Sequence, residues 1–221
     1  MIKKLFASLL IATTLLFGCG NKGVNKSDPS SYTTIGQGPT LIYVVNQSDF
    51  DSNRLNTIVN AVDVQLQKDL KPSWGIDAHL VLAQSAPSNS STVTILQDFS
   101  SFPNAWHLCT GFHKSGFVGY VDKNECEDEL VFSVTLSHEV LEMLSNPQGL
   151  KGGYEICDPC QSRYAGYLNQ EVPSVMVSDF VYQNFYIPGS VAPYDRTNNI
   201  KAPLTPMLGG AIFNTIQGKT R

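Results

Sequence analysis

Residues 135–147, with the sequence TLSHEVLEMLSNP, hold the side chains best suited to chemistry. On a helix, residues four apart lie on one face, so His138 and Glu142 would point toward one ion, with Glu139 beside them. The spacing is a variant of the zinc motif HExxH, in which two histidines bind the metal and the intervening glutamate is the general base. A carboxylate is also a zinc ligand. The segment therefore predicts a metal site at His138 and Glu142, with Glu139 as the catalytic base that takes a proton from water.

A catalytic zinc site needs a third protein ligand and one open position. The nearest supply is residues 154–158, with the sequence YEICD. We expect Asp158 to bind the metal. Glu155 would lie close by, either as a substitute ligand or as an acceptor for the second ring nitrogen of the histidine.

Two other interpretations of these residues stay open. In the first, the acids hold a structural cation such as Ca²⁺ in a cell-envelope binding protein that has no catalytic activity. In the second, the glutamates are only the solvated face of a surface helix. The apolar neighbours of His138 oppose the second, because an uncompensated charge cluster is costly to bury there. The acids concerned are Glu139, Glu142, Glu155 and Asp158.

A resemblance to a known family supports the metal interpretation. The segments SVTLSHEVLEMLSNP, YEICDP and VSDFV, with a Gly-Gly near the C-terminus, resemble a family of largely uncharacterised bacterial and phage proteins described as zinc-dependent peptidases. The HExxE and EIxDxC pieces are more distantly similar to plant phosphate-induced, EXORDIUM-like proteins. The resemblance covers about residues 105–213. It implies Zn²⁺ at His138 and Glu142, catalysis by Glu139 and a peptide-like substrate.

His113 is a further candidate for the site, because its Gly-aromatic-His setting is similar to that in the same family. It would polarise a substrate carbonyl or act as an additional ligand. His79 is better explained as a hydrogen-bonded structural residue.

Four cysteines follow the N-terminal segment: Cys109, Cys126, Cys157 and Cys160. An even set in an oxidising compartment is typical of disulfides, and four cysteines allow three pairings. We predict Cys109–Cys126 and Cys157–Cys160. A four-cysteine zinc site usually has closer pairs than Cys109 and Cys126. A thioredoxin-type redox motif at Cys157 and Cys160 would need a strand-to-helix unit that the surrounding pattern lacks.

The elements that must position these residues follow from the hydrophobic pattern. We predict strands at 41–46, 76–83, 92–97 and 116–122, and helices at 51–70 and 129–145, with the first helix ending at Lys71-Pro72-Ser73. This order resembles the N-terminal half of zincin metallopeptidases. It predicts an α+β, zincin-like fold with a twisted mixed sheet, a backing helix and a helix that carries the metal motif. The part after residue 162 is loop-rich, with a short β-like run at 175–182.

The N-terminus predicts export. Lys3 and Lys4 precede an apolar run, residues 5–17, that is too short to span a bilayer, and LFGC at its end resembles a bacterial lipobox. We therefore predict a lipoprotein signal peptide at 1–18, an acylated Cys19, a flexible tether at 19–39 and a single domain at 40–221. The protein would be anchored in the cell envelope, at the outer membrane in a Gram-negative host. The net charge of −4 gives no electrostatic attraction to nucleic acid.

Overall fold

The computed structural model describes residues 39–98, 111–114, 118–124, 126, 128–147, 154–160 and 166–200. These residues form an α+β fold, as the sequence predicts. The strands are β1 (Thr40–Gln47), β2 (Ala78–Ala83), β3 (Ser91–Leu96), β4 (Gly111–Lys114), β5 (Val118–Asp122), β6 (Gly166–Leu168) and β7 (Met176–Ser178). The helices are α1 (Ser52–Gln65), α2 (Lys71–Trp74) and α3 (Glu129–Ser145), with a π-helical segment at Leu66–Leu70 and 3-10 turns at Asp158–Cys160 and Gln183–Tyr186.

The main sheet is mixed, which confirms the predicted type of sheet. Its strand order is β2-β1-β3-β5-β4. The first four of these strands are parallel, and β4 pairs antiparallel with β5 at one edge. β4 lies where no strand was predicted. The strands β6 and β7 form a separate antiparallel pair.

The helical stretch after β1 is longer than predicted. Asp51 caps α1 by accepting a hydrogen bond from the Arg54 amide at 2.8 Å. The predicted end at Lys71-Pro72-Ser73 was wrong, because the chain continues through the π-helical segment into α2 and ends at Gly75, whose φ is 70°. Pro72 lies in the first turn of α2, directly after the π-helical segment, whose widened turn interrupts the regular α-helical hydrogen bonding that a proline would break.

The bounds of α3 agree with the prediction. Asp128 caps the helix by accepting from the Val131 amide at 2.9 Å. The helix is buried around most of its circumference, as expected of a helix inside a core, and it packs against β4, β5 and β7.

Serines on α3 fix the helix against neighbouring main chain. Ser133 donates to the Met176 carbonyl and Ser145 to the Tyr154 carbonyl, each at 2.7 Å. Ser137 accepts from the Ser178 amide at 3.0 Å and donates to Gln65 at 2.6 Å. These bonds fix the position of α3. The bonds of Ser137 do so at the residue directly before His138.

The predicted signal peptide, Cys19 and nearly all of the tether lie outside the described residues. Within the described ranges, no helix is long and apolar enough to cross a membrane. The predicted β-like run at 175–182 contains a strand only at Met176–Ser178.

Candidate metal centre

The predicted ligands on α3 do lie side by side. Nε2 of His138 is 3.1 Å from Oε2 of Glu142, and the two side chains are 16% and 6% exposed. The same nitrogen lies 3.7 Å from Oδ1 of Asp158, which the 3-10 turn after α3 presents. The structure therefore brings His138, Glu142 and Asp158 together, as the sequence predicts.

The second oxygen of Glu142 holds that turn against the helix. Oε1 of Glu142 accepts hydrogen bonds from the backbone amides of Cys157 at 3.3 Å and Asp158 at 3.2 Å. One carboxylate thus faces the imidazole with one oxygen and orients the turn with the other.

Cys157 is the site residue that the sequence analysis missed. Its side chain is buried, and its sulfur, a nitrogen of His138 and an oxygen of Glu142 lie within 4.8 Å of one another. We call His138, Glu142, Cys157 and Asp158 the histidine cluster. The signal was present, because Cys157 lies between two predicted acidic ligands, but the disulfide interpretation obscured it.

The predicted Cys157–Cys160 disulfide was wrong, since both cysteines are free. The two thiols point to different neighbours. Sγ of Cys157 lies 3.9 Å from the His138 carbonyl oxygen, whereas the Cys160 thiol is hydrogen-bonded to Asp179. The redox interpretation loses the disulfide on which it depended. Cys109 lies outside the described residues, so its pairing with Cys126 stays a prediction.

The acids around His138 decide the direction in which its pKa shifts. Burial by itself would lower the pKa of the imidazole, but the charges of Glu142, Glu139 and Asp158 outweigh burial and raise the pKa to about 10. Without a cation, the buried carboxylates are therefore compensated in part by a proton on His138. A metal ion would take over that role.

Glu139 is buried beside the cluster, with 6% of its surface exposed, and its charge acts on His138. Glu155 was predicted as a substitute ligand or as an acceptor for the second ring nitrogen of His138, and that role stays a prediction. Its Oε1 accepts a hydrogen bond from the Asn146 side chain at 2.7 Å, and Glu155 does not belong to the group of converging ligand atoms. The side chain of His113 lies outside the described residues, although its backbone belongs to β4.

Aromatic side chains pack beside the turn. Tyr154 and Tyr186 make an edge contact with ring centroids 4.7 Å apart, and both contact Trp74. Tyr167 donates to Asp69 at 2.7 Å, so it serves a structural network. His79 pairs with Asp63 at 3.1 Å, as expected of a structural histidine.

A second group of possible ligands lies at the other end of the 3-10 turn. Cys160, Asp179 and Asp195, which we call the aspartate cluster, also place their ligand atoms within 4.8 Å of one another. Here protein donors occupy the carboxylates. Asp195 accepts from the amides of Asn199 and Ile200 at 2.9 and 3.0 Å.

The histidine cluster fits a metal ion by its donor types and spacing. Imidazole nitrogen, carboxylate oxygen and thiolate sulfur are the ligands that zinc binds, with bonds of about 2.0–2.3 Å. Two ligands of one tetrahedral ion are then roughly 3–4 Å apart, which matches the separation of His138 from Glu142 and Asp158. An open cavity of about 730 Å³ lies away from the histidine cluster, and its lining includes Lys68, Tyr182 and Arg196.

Comparison of the chain with protein-family models, curated proteins and solved structures found no match.

Proposed function

We propose that this protein is a zinc-dependent hydrolase of peptide-like substrates. The observation that carries the proposal is the 3.1 Å approach of His138 to Glu142 on α3, with Asp158 3.7 Å from the same nitrogen. In the proposal, His138 and Glu142 bind the metal, and the turn at 157–158 supplies the third ligand. The resemblance of the α3 segment to zinc-dependent peptidases points to the same chemistry.

A bound zinc ion supplies Lewis acidity, which activates water and polarises a carbonyl group. In the proposal, Glu139, which adjoins His138 in sequence and acts on it electrostatically, takes the proton from the attacking water. It then returns that proton to the leaving nitrogen. The hydrogen bonds of Glu142 to the turn keep the ligand-bearing segment in place during the reaction.

We further propose that the fold is zincin-like. The support is the position of α3, which packs against the antiparallel edge strand β4 and its neighbour β5. Among the described strands, β4 lies at the edge of the sheet, and in the proposal an extended substrate pairs with its backbone. His113 lies on this strand and is our candidate for contacting the substrate carbonyl.

The test is Glu139→Gln, assayed for zinc content, melting temperature and hydrolysis of a mixed peptide library. We expect hydrolysis to fall by a factor of about 10² to 10⁴, as is typical for loss of a general base, with zinc content and melting temperature nearly unchanged. Glu171→Gln is the matched control, because the Glu171 side chain is 55% exposed and pairs at the surface with Lys68. It should hydrolyse peptides as the wild type does.

Two results would contradict the proposal. Equal, substoichiometric zinc in the wild type and His138→Ala would remove the metal site. Stoichiometric zinc with no hydrolysis in the wild type would leave a structural cation site in an envelope protein, which is the alternative function.

We also propose that the protein acts at a membrane surface through acylated Cys19. The support is the cationic start, the short apolar run and the LFGC sequence. Cys19→Ser should move the protein from the membrane fraction to the soluble fraction of cell lysates.

A further inference from the structure

Cys157 has surroundings unlike those of a cysteine that only packs in a core. A buried free cysteine usually behaves as a small apolar side chain. Cys157 is 1% exposed, but its sulfur faces a nitrogen of His138 and an oxygen of Glu142, all within 4.8 Å of one another. Among the described residues, no other group of three or more His, Cys, Asp and Glu side chains that includes His138 meets this limit.

The backbone of Cys157 is fixed as well as its side chain. Its amide donates to Glu142 at 3.3 Å, and its carbonyl accepts from the Cys160 amide at 2.9 Å. The sulfur is therefore held at the helical turn that separates His138 from Glu142. This is the arrangement expected of a ligand that is positioned before the ion arrives.

We propose that the thiolate of Cys157 is the third protein ligand of the cation bound by His138 and Glu142, and that Asp158 is a neighbour of this set. The inference rests on the proposed metal site, and it replaces the predicted carboxylate ligand from the turn with a thiolate. As the sulfur–metal bond forms, the thiol proton passes to the buffer. Three protein ligands leave a fourth tetrahedral position open, as catalytic zinc sites require.

A thiolate ligand also decides which cations the site accepts. Soft sulfur donors favour Zn²⁺, Co²⁺ and Cd²⁺, whereas Ca²⁺ and Mg²⁺ prefer oxygen. The proposal therefore excludes the calcium site considered from the sequence. Excess Ca²⁺ should leave bound Co²⁺ in place.

The experiment is a Co²⁺ titration of the full chain in detergent, followed by absorption spectroscopy. Visible d–d bands report tetrahedral binding, and a near-ultraviolet charge-transfer band reports a thiolate ligand. We expect both in the wild type and in Cys160→Ser, the matched control. Cys157→Ser should lose the near-ultraviolet band, keep visible bands and bind Zn²⁺ at least about tenfold more weakly. His138→Ala should lose both signals.

Failures of the two proposals are distinguishable. Visible bands without a charge-transfer band in the wild type would overturn the thiolate ligand and leave the metal site standing. Absence of visible bands in the wild type would overturn the metal site itself. If Cys157→Ser does not fold, the ¹¹³Cd NMR shift of the loaded wild type decides, because one sulfur ligand moves it far downfield of an all-nitrogen-and-oxygen site. A shift without that displacement would refute the thiolate.

Discussion

The histidine cluster and the aspartate cluster lie at opposite ends of one 3-10 turn and are built from similar parts. Each contains a cysteine and two carboxylates that are largely or wholly removed from solvent. They differ in what the carboxylates contact. In the histidine cluster, Glu142 accepts from two amides with Oε1 but turns Oε2 toward the imidazole, which Asp158 also approaches. In the aspartate cluster, the acids accept hydrogen bonds from the chain around them, so composition by itself does not identify a metal site.

The donors of the aspartate cluster tie down residues 195–200. Asp195 accepts from two backbone amides in that segment, and the Thr197 hydroxyl lies 2.5 Å from Asp179 and 2.9 Å from Asp195. Burial by itself would raise the pKa of Asp195, but the hydrogen bonds that its carboxylate accepts outweigh burial and lower the pKa. The cluster therefore has a structural explanation that needs no ion.

The largest expected contrast is in metal affinity. His138→Ala removes a ligand and should weaken Zn²⁺ binding by about 100-fold or more. Asp195→Asn, which changes only the aspartate cluster, should alter the affinity by less than about threefold. Competition with a chromophoric chelator measures both. Equal losses in the two variants would abolish the distinction between the clusters.

The next contrast is in stability without metal. Asp195→Asn replaces a charged acceptor of two amides and one hydroxyl, and should lower the free energy of unfolding by about 2 kcal/mol. Urea denaturation in the presence of a chelator measures this. Asp77→Asn, at an exposed acid paired with Lys71, should leave the urea denaturation midpoint nearly unchanged. A stable Asp195→Asn protein would contradict the structural role.

The smallest contrast is in pH dependence. Burial, together with the neighbouring Asp195, raises the pKa of Asp179 to about 6. The folded-state pKa of Asp179 lies above its unfolded value. The contribution of this group to the free energy of unfolding is therefore complete at low pH and is lost as the pH rises through about 6. Between pH 5 and 7 the metal-free wild type should lose about 1 kcal/mol more stability than Asp179→Asn, whose amide does not ionise. The lowered pKa of Asp195 acts at more acidic pH.

That difference is read from urea denaturation midpoints at the two pH values. Parallel curves for wild type and Asp179→Asn would show that Asp179 does not carry the effect. His138→Gln is a useful third protein, because it alters the other cluster and should leave the Asp179 contribution intact.

The sequence predicted those elements whose local signals agree with their packing. The helix α3 has a capping Asp128, a continuous apolar pattern and Asn146-Pro147 after its end, and its bounds were predicted correctly. The π-helical segment before Pro72 was not predicted, because the apolar residues Leu66 and Leu70 at its ends also fit the spacing of an uninterrupted α-helix. The short strand β4 pairs locally with β5, but its four residues, GFHK, are too few to show the alternating apolar pattern that predicts a strand.

The candidate site also has a part that the sequence predicted and a part that it did not. The pairing of His138 with Glu142 follows from helical spacing, and the sequence predicted it. The roles of Cys157 and Glu155 depend on how the turn after α3 lies against the helix. Only the tertiary arrangement shows that Cys157 faces the imidazole and that Glu155 binds Asn146.

The serine bonds of α3 affect which substitutions the protein can tolerate. Ser133, Ser137 and Ser145 bond to main-chain atoms of Met176, Ser178 and Tyr154, which every residue except proline at 178 would also supply. The serine bonds therefore set no requirement on the side chains at positions 154 and 176, whereas Val177 in the same strand is constrained by its burial in the core. The serines themselves have no such freedom, because replacing a hydroxyl removes the bond that fixes the helix.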